Sequence, residues 1–283
     1  MSYDLNLHFD PAVDSRGFLQ YFSERANYTV SGTEITYQNP ATGVGFFIRY
    51  QVSKGFLSRK TIGSAQVEIN YFRPGYFGME AEIELAALLA QFAPKIDDPQ
   101  MKGMGQGPYS REGFLSGWNF GNEFAVRTVL SSQPDYTVQS LAADQLCAAW
   151  LWNYKRAEAT ARVEGRQFIP GVRVLAVQGV PSLVVLWALG MPTLLPKVDY
   201  VLVGREVAGA RQCGLATWSE VIDVVRRAGI NVGNDPLDIQ YPVTPDPIAH
   251  WIAKIPEIDL QTVPTVDQVI DTEVLEAARR QMS

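Results

Sequence analysis

The sequence predicts an α+β protein, with a mainly antiparallel sheet and helices in its N-terminal part and a smaller α/β portion after it. Three observations lead there. The opening run alternates, with Tyr3, Leu5, Leu7 and Phe9 on one side and Asp4, Asn6, His8 and Asp10 on the other, the pattern of a strand with one buried face. Further strand-like runs at 28–30, 34–38, 44–52 and 64–72 are punctuated by Ser31, Gly32, Asn39 and Pro40. From residue 78 the period becomes helical, and strand patterns return only after residue 171.

Pro11 is read as the end of the first strand. Residues 14–25 place Phe18, Leu19 and Phe22 at helical spacing. After Gly78, Leu85, Leu88, Leu89 and Phe92 recur at i, i+3, i+4 and i+7, with Glu80, Glu82 and Glu84 in the first turns, where acids complement the helix dipole. A loop over 94–108 leads to helices at about 110–131 and 138–163. Gly117 and Gly121 lie four apart in the first of these. That spacing suits close approach of another backbone, or a cleft presenting Asn119, Asn122 and Glu123. The second helix carries Leu146, Trp150, Trp152 and Tyr154.

The glycines at 165 and 171 bracket an expected seam, giving domains 1–165 and 166–283. Runs at 172–177, 182–189 and 200–204 read as strands. Thr217 and Glu220 form a capping box that opens a helix closed by Gly229. Six prolines between 233 and 264 predict an extended course, with a helical turn near 248–253. Thr265 and Gln268 read as a second capping box starting a terminal helix, with Val266, Val269, Ile270 and Val274 inward.

Composition narrows the function. Hydrophobic residues make up 47% of the 283 and charged residues 19%, as in folded globular proteins. Two cysteines, Cys147 and Cys213, exclude a disulfide scaffold and a cysteine zinc site, and two histidines leave little room for histidine metal or triad chemistry. Phosphate-loop, zinc-protease, nucleophile-elbow and calcium-loop motifs are absent. Gly103, Gly105 and Gly107 follow a helix rather than a strand, and Pro108 and Tyr109 intervene before the next helix. They therefore read as a flexible loop and not as a dinucleotide cradle. No catalytic residue, cofactor or metal ligand is assigned. The stretch 180–195, the most apolar, contains Pro181, Gly190 and Pro192 and is too short to cross a bilayer. With no signal-peptide pattern at its start, the chain reads as cytoplasmic.

The formal charge of −6 argues against nucleic acid as a partner. It is also uneven. Residues 1–227 balance 21 basic against 21 acidic side chains, while 228–283 hold nine acids and three bases. This acidic stretch, including Asp267, Asp271, Glu273 and Glu276, suits electrostatic steering of a basic partner. The loop residues Asp97, Asp98, Met101, Met104 and Tyr109 complete the expected partner-binding set.

The opening Met1, Ser2, Tyr3, Asp4, Leu5, with the stretches at 76–80 (Tyr, Phe, Gly, Met, Glu) and 198–205 (Val, Asp, Tyr, Val, Leu, Val, Gly, Arg), resembles bacterial immunity proteins of polymorphic toxins and type VI secretion effectors. The resemblance implies a non-enzymatic inhibitor that binds and blocks a cognate protein toxin in the cytoplasm of its producer. The alternative is a hydrolase whose site assembles from distant segments, drawing on His8, Glu68, Asp97 or Glu123. A subunit of a larger assembly is a third possibility, and it predicts an exposed apolar patch.

Overall fold

A computed structural model describes residues 1–54, 60–100, 102–105, 108–133, 135–188, 190–207, 210–233, 235–241 and 244–282. The chain divides into two compact units, Met1–Val138 with Ile270–Ser283, and Gln139–Val269. The α+β class holds: the first unit contains a large antiparallel sheet. The division falls elsewhere than the expected seam at 165, because the aromatic helix belongs with the second unit and the C-terminal helix returns to the first.

The first unit runs β1 (Ser2–Asp14), α1 (Ser15–Ser23), β2 (Tyr28–Ser31), β3 (Glu34–Gln38), β4 (Gly45–Lys54), β5 (Lys60–Asn70), α2 (Tyr76–Phe92), β6 (Lys95–Asp97) and α3 (Arg111–Ser132). Its strands form one antiparallel sheet in the order β2-β3-β4-β5-β1-β6. The odd-numbered apolar residues of β1 point inward as their alternation predicts. They join Ile35, Tyr37, Phe46, Ile48, Val67 and Ile69 under Phe18 and Phe22 of α1, Leu85 and Leu88 of α2, and Phe114 and Trp118 of α3.

Pro11 does not end β1. The pairing with β5 shifts register between His8 and Val13, then resumes at Val13 opposite Ile62. The proline therefore sits in a bulge, where no ladder N–H is required of it.

The glycines of α3 serve close packing. A Cβ on Gly121 would lie 2.0 Å from the Tyr71 ring, and one on Gly117 would lie 2.4 Å from the Tyr3 hydroxyl. Asn122 is buried and donates to the carbonyls of Tyr71 (2.5 Å) and Arg73 (2.8 Å), which fixes the turn before α2 and commits this side chain to the backbone, while Asn119 is exposed.

The second unit contains β7 (Ser140–Leu141), α4 (Ala143–Arg162), β8 (Arg173–Val177), β9 (Val180–Ala188), β10 (Thr193–Leu195), β11 (Tyr200–Val207), β12 (Ala210–Thr217), α5 (Trp218–Arg227), β13 (Leu237–Ile239) and α6 (Asp246–Ile252). Its four-stranded sheet has the order β12-β11-β9-β8, with β11 parallel to β9 and the other pairs antiparallel. The capping box at Thr217 and Glu220 is present in full. The one expected at Thr265 is not a helix start. Thr265 bridges to Leu175 at the edge of the second unit's sheet, and the Val266 N–H donates to the Val174 carbonyl. The terminal helix begins seven residues later and spans Thr272–Arg280, with Asp271 at its N-cap. Among the described residues no helix is long and apolar enough to cross a membrane.

Candidate functional site

The six-stranded sheet separates two kinds of carboxyl group. Those between the sheet and its helices are tied down by tyrosines. Glu80 is 0% exposed and accepts from Tyr37 Oη (2.7 Å), Asn39 Nδ2 (2.8 Å) and Thr42 Oγ1 (3.1 Å). Glu84, one turn on, accepts from Tyr28 Oη (2.9 Å) and Arg25 Nη2 (2.6 Å). Glu82 takes Tyr109 Oη and lies 3.3 Å from Arg111 Nε. Asp98, also 0% exposed, accepts from Tyr3 Oη at 2.9 Å and from the Gln100 N–H at 3.1 Å. Burial pushes the hydroxyls of Tyr3, Tyr28, Tyr37 and Tyr109 well above the ordinary tyrosine range, and the facing carboxyl groups add to this. The tyrosines therefore stay protonated donors, and the layer is a fixed scaffold. Glu80 and Glu82 are thus buried acceptors, and they stand beyond the first turn of α2, which begins at Tyr76.

The opposite face of the sheet is open, and none of its ladder residues is buried. Register sets them in rows. Thr36, Phe47, Glu68 and Asp4 make one row; Glu34, Arg49, Gln66, Asn6 and Asp97 the next; and Gln51, Ser64, His8 and Lys95 a third. Phe47 is the large apolar side chain among them, 40% exposed on a central strand. Arg49 holds Glu34 (3.0 Å) and Glu68 together, and its guanidinium lies 5.9 Å from the Phe47 ring. Asn6 Nδ2 donates to Asp97 at 3.3 Å. Asp4 faces Glu68 directly across the strands, a like-charge opposition that weakens a sheet. The face thus presents four carboxylates against two cations, and Arg49 is already shared between two of those carboxylates.

The expected partner-binding residues scatter. Asp98, Met104 and Asp271 are buried, and a buried side chain offers nothing to a docking protein. Asp98 serves the tyrosine layer and Met104 fills the core. Asp271, 4% exposed, accepts from the Gly75 N–H at 2.6 Å beside the start of α2. Tyr109 is half-buried on Glu82, and Asp97 lies on the open face. Asp267, Glu273 and Glu276 are exposed, and Met101 lies outside the described residues. The acidic C-terminal stretch is also divided: Asp267 and the acids before it belong to the second unit, and Asp271, Glu273 and Glu276 to the first. Counted by unit, the first holds 17 acids and 13 bases and the second 13 and 11. Most of the excess therefore sits with the large sheet. Of the residues considered for hydrolysis, His8, Glu68 and Asp97 share the open face, while Glu123 stands on α3 beside Gln281. Among the described residues no group of three or more metal-binding side chains comes together. Strand alternation could have assembled the open face from the sequence, but only with the strand order in hand.

Asp271 supports a pH prediction. Burial, chiefly, raises its pKa above the ordinary aspartate range, against the Gly75 N–H, which lowers it. The folded state thus holds this proton more tightly than the unfolded chain. The contribution is full below the unfolded pKa and is lost as pH rises through the folded value. Asp271→Asn keeps an acceptor for Gly75 and carries no charge. Urea midpoints are expected to show the variant as stable as the parent near pH 4 and more stable at pH 7.

No protein-family model matches this sequence, and no curated protein or solved structure matches it either.

Proposed function

We propose that the protein is a cytoplasmic inhibitor, an immunity protein of the polymorphic-toxin or type VI secretion kind, which neutralises a basic cognate toxin by binding it on the open face of the six-stranded sheet. The observation that carries this reading is the exposed Phe47, set on a central strand among Asp4, Glu34, Glu68 and Asp97. An aromatic anchor inside a charged rim is the arrangement that concentrates binding energy at protein interfaces. Asp4 opposite Glu68 is unfavourable in the free protein and is relieved by an incoming cation. The fixed tyrosine layer beneath holds the face in one shape, so little ordering is needed on binding.

The test takes as its partner the protein that co-purifies with this one from the native host at low salt. Asp4→Asn, Glu68→Gln and Asp97→Asn together are expected to slow association by about tenfold at low salt, with little change in dissociation. Phe47→Ala is expected to speed dissociation, weakening binding by about 2 kcal/mol. An association rate indifferent both to salt and to the three substitutions would refute this use of the face.

A further inference from the structure

We infer that the outer side of α3 pairs with the same helix of a second copy, making the protein a two-fold dimer. This inference is independent of the inhibitor reading. The inner side of α3 is committed to the core through Phe114, Gly117, Trp118 and Gly121. The outer side carries Glu112, Ser116, Phe120, Phe124 and Arg127 along one stripe. Phe120 and Phe124, one turn apart, are 50% and 47% exposed. Adjacent exposed aromatics on a rigid helix form a patch of the kind that marks an interface.

The occupant follows from the order of side chains along the stripe. Glu112 precedes Phe120 by about 12 Å of helix and Arg127 follows it by about 10 Å, at 1.5 Å per residue. When two copies cross antiparallel at Phe120, Glu112 of each comes level with Arg127 of the other. Phe124 of each then meets Ser116, small enough to receive a ring. The stripe is thus self-complementary in charge and in size, as a two-fold interface requires. Arg127 has no carboxylate partner among the described residues; it contacts Gln281 and lies 5.4 Å from the Phe124 ring. Lys102, whose ammonium sits 5.2 Å from the Phe120 ring, lies where the axis would pass and has to swing aside.

Sedimentation of the full chain over a concentration series reads the outcome. The mass is expected to rise from 31.4 kDa toward twice that value. Phe120→Glu and, separately, Ser116→Arg, at an exposed position on the stripe, should hold it at the monomer. Lys102→Ala should shift the midpoint to lower concentration. Glu112→Arg and Arg127→Glu should each weaken association at least tenfold, and the two together should restore it. A wild-type chain that stays monomeric at millimolar concentration overturns the inference. So does a dimer unaffected by Ser116→Arg in a variant that melts like the parent, because the contact would then lie elsewhere.

Discussion

Glu80→Ala is expected to destabilise the protein by about 4 kcal/mol, close to the most that a single substitution in a small domain ordinarily costs. The glutamate is fully buried, and Tyr37, Asn39 and Thr42 all donate to it. Truncation leaves three donors without their acceptor in a place water does not reach, and opens a cavity where the side chain stood. Glu80→Gln separates these effects. It keeps the volume and one acceptor oxygen, and is expected to cost about 1 kcal/mol. Urea denaturation monitored by tryptophan fluorescence measures both, with Trp118 reporting from the core of the same unit. Equal losses for the two variants would mean that the three donors contribute little.

Gly103→Ala is the second large effect, about 3 kcal/mol, with the mechanism of overpacking. A Cβ at this position would stand 2.2 Å from the Gly113 carbonyl oxygen and 2.7 Å from the Gly117 nitrogen. Both are backbone atoms of α3, so no rotamer change relieves the clash. The loop has to lift, drawing Met104 from the core and stretching the Asp98 N–H bond to the Gly105 carbonyl, now 3.1 Å. Gly63 is the control. It has open space around it and an ordinary φ, so Gly63→Ala is expected to change stability by about 0.5 kcal/mol or less.

These two sites also show where sequence reasoning reached and where it stopped. Alternation in 3–9 identifies β1 and its buried side, and the punctuated runs after it identify β2 to β5, because a period of two is written locally; β6, three residues inside the stretch read as a loop over 94–108, is too short to show one. The capping box at Thr217 is equally local and is formed as read. Glu80 is different. Its donors lie about forty residues upstream, so the local signal, an acid near a helix start, points only to the helix dipole. Gly103 reads as part of a flexible loop because its real reason, the backbone of α3, is invisible to spacing, and Gly105 holds a left-handed φ of 56° that spacing does not reveal either. The charge map is likewise a property of the chain order. A run of acids along the chain reads as one stretch, and the chain passes from one unit to the other within it, between Val269 and Ile270. The open face, with residues contributed by β1, β3, β4, β5 and β6, has no counterpart as a stretch of sequence.

The most direct measurement of the central claim is carboxyl footprinting by carbodiimide labelling of the protein, alone and with its basic partner bound. Labelling of Asp4, Glu34, Glu68 and Asp97 is expected to fall on binding, while Glu273 and Glu276 on the C-terminal helix and Asp267 in the second unit label as before. Protection of Asp267, Glu273 and Glu276 with the sheet carboxylates unchanged would contradict it, and would return the binding surface to the C-terminal acids.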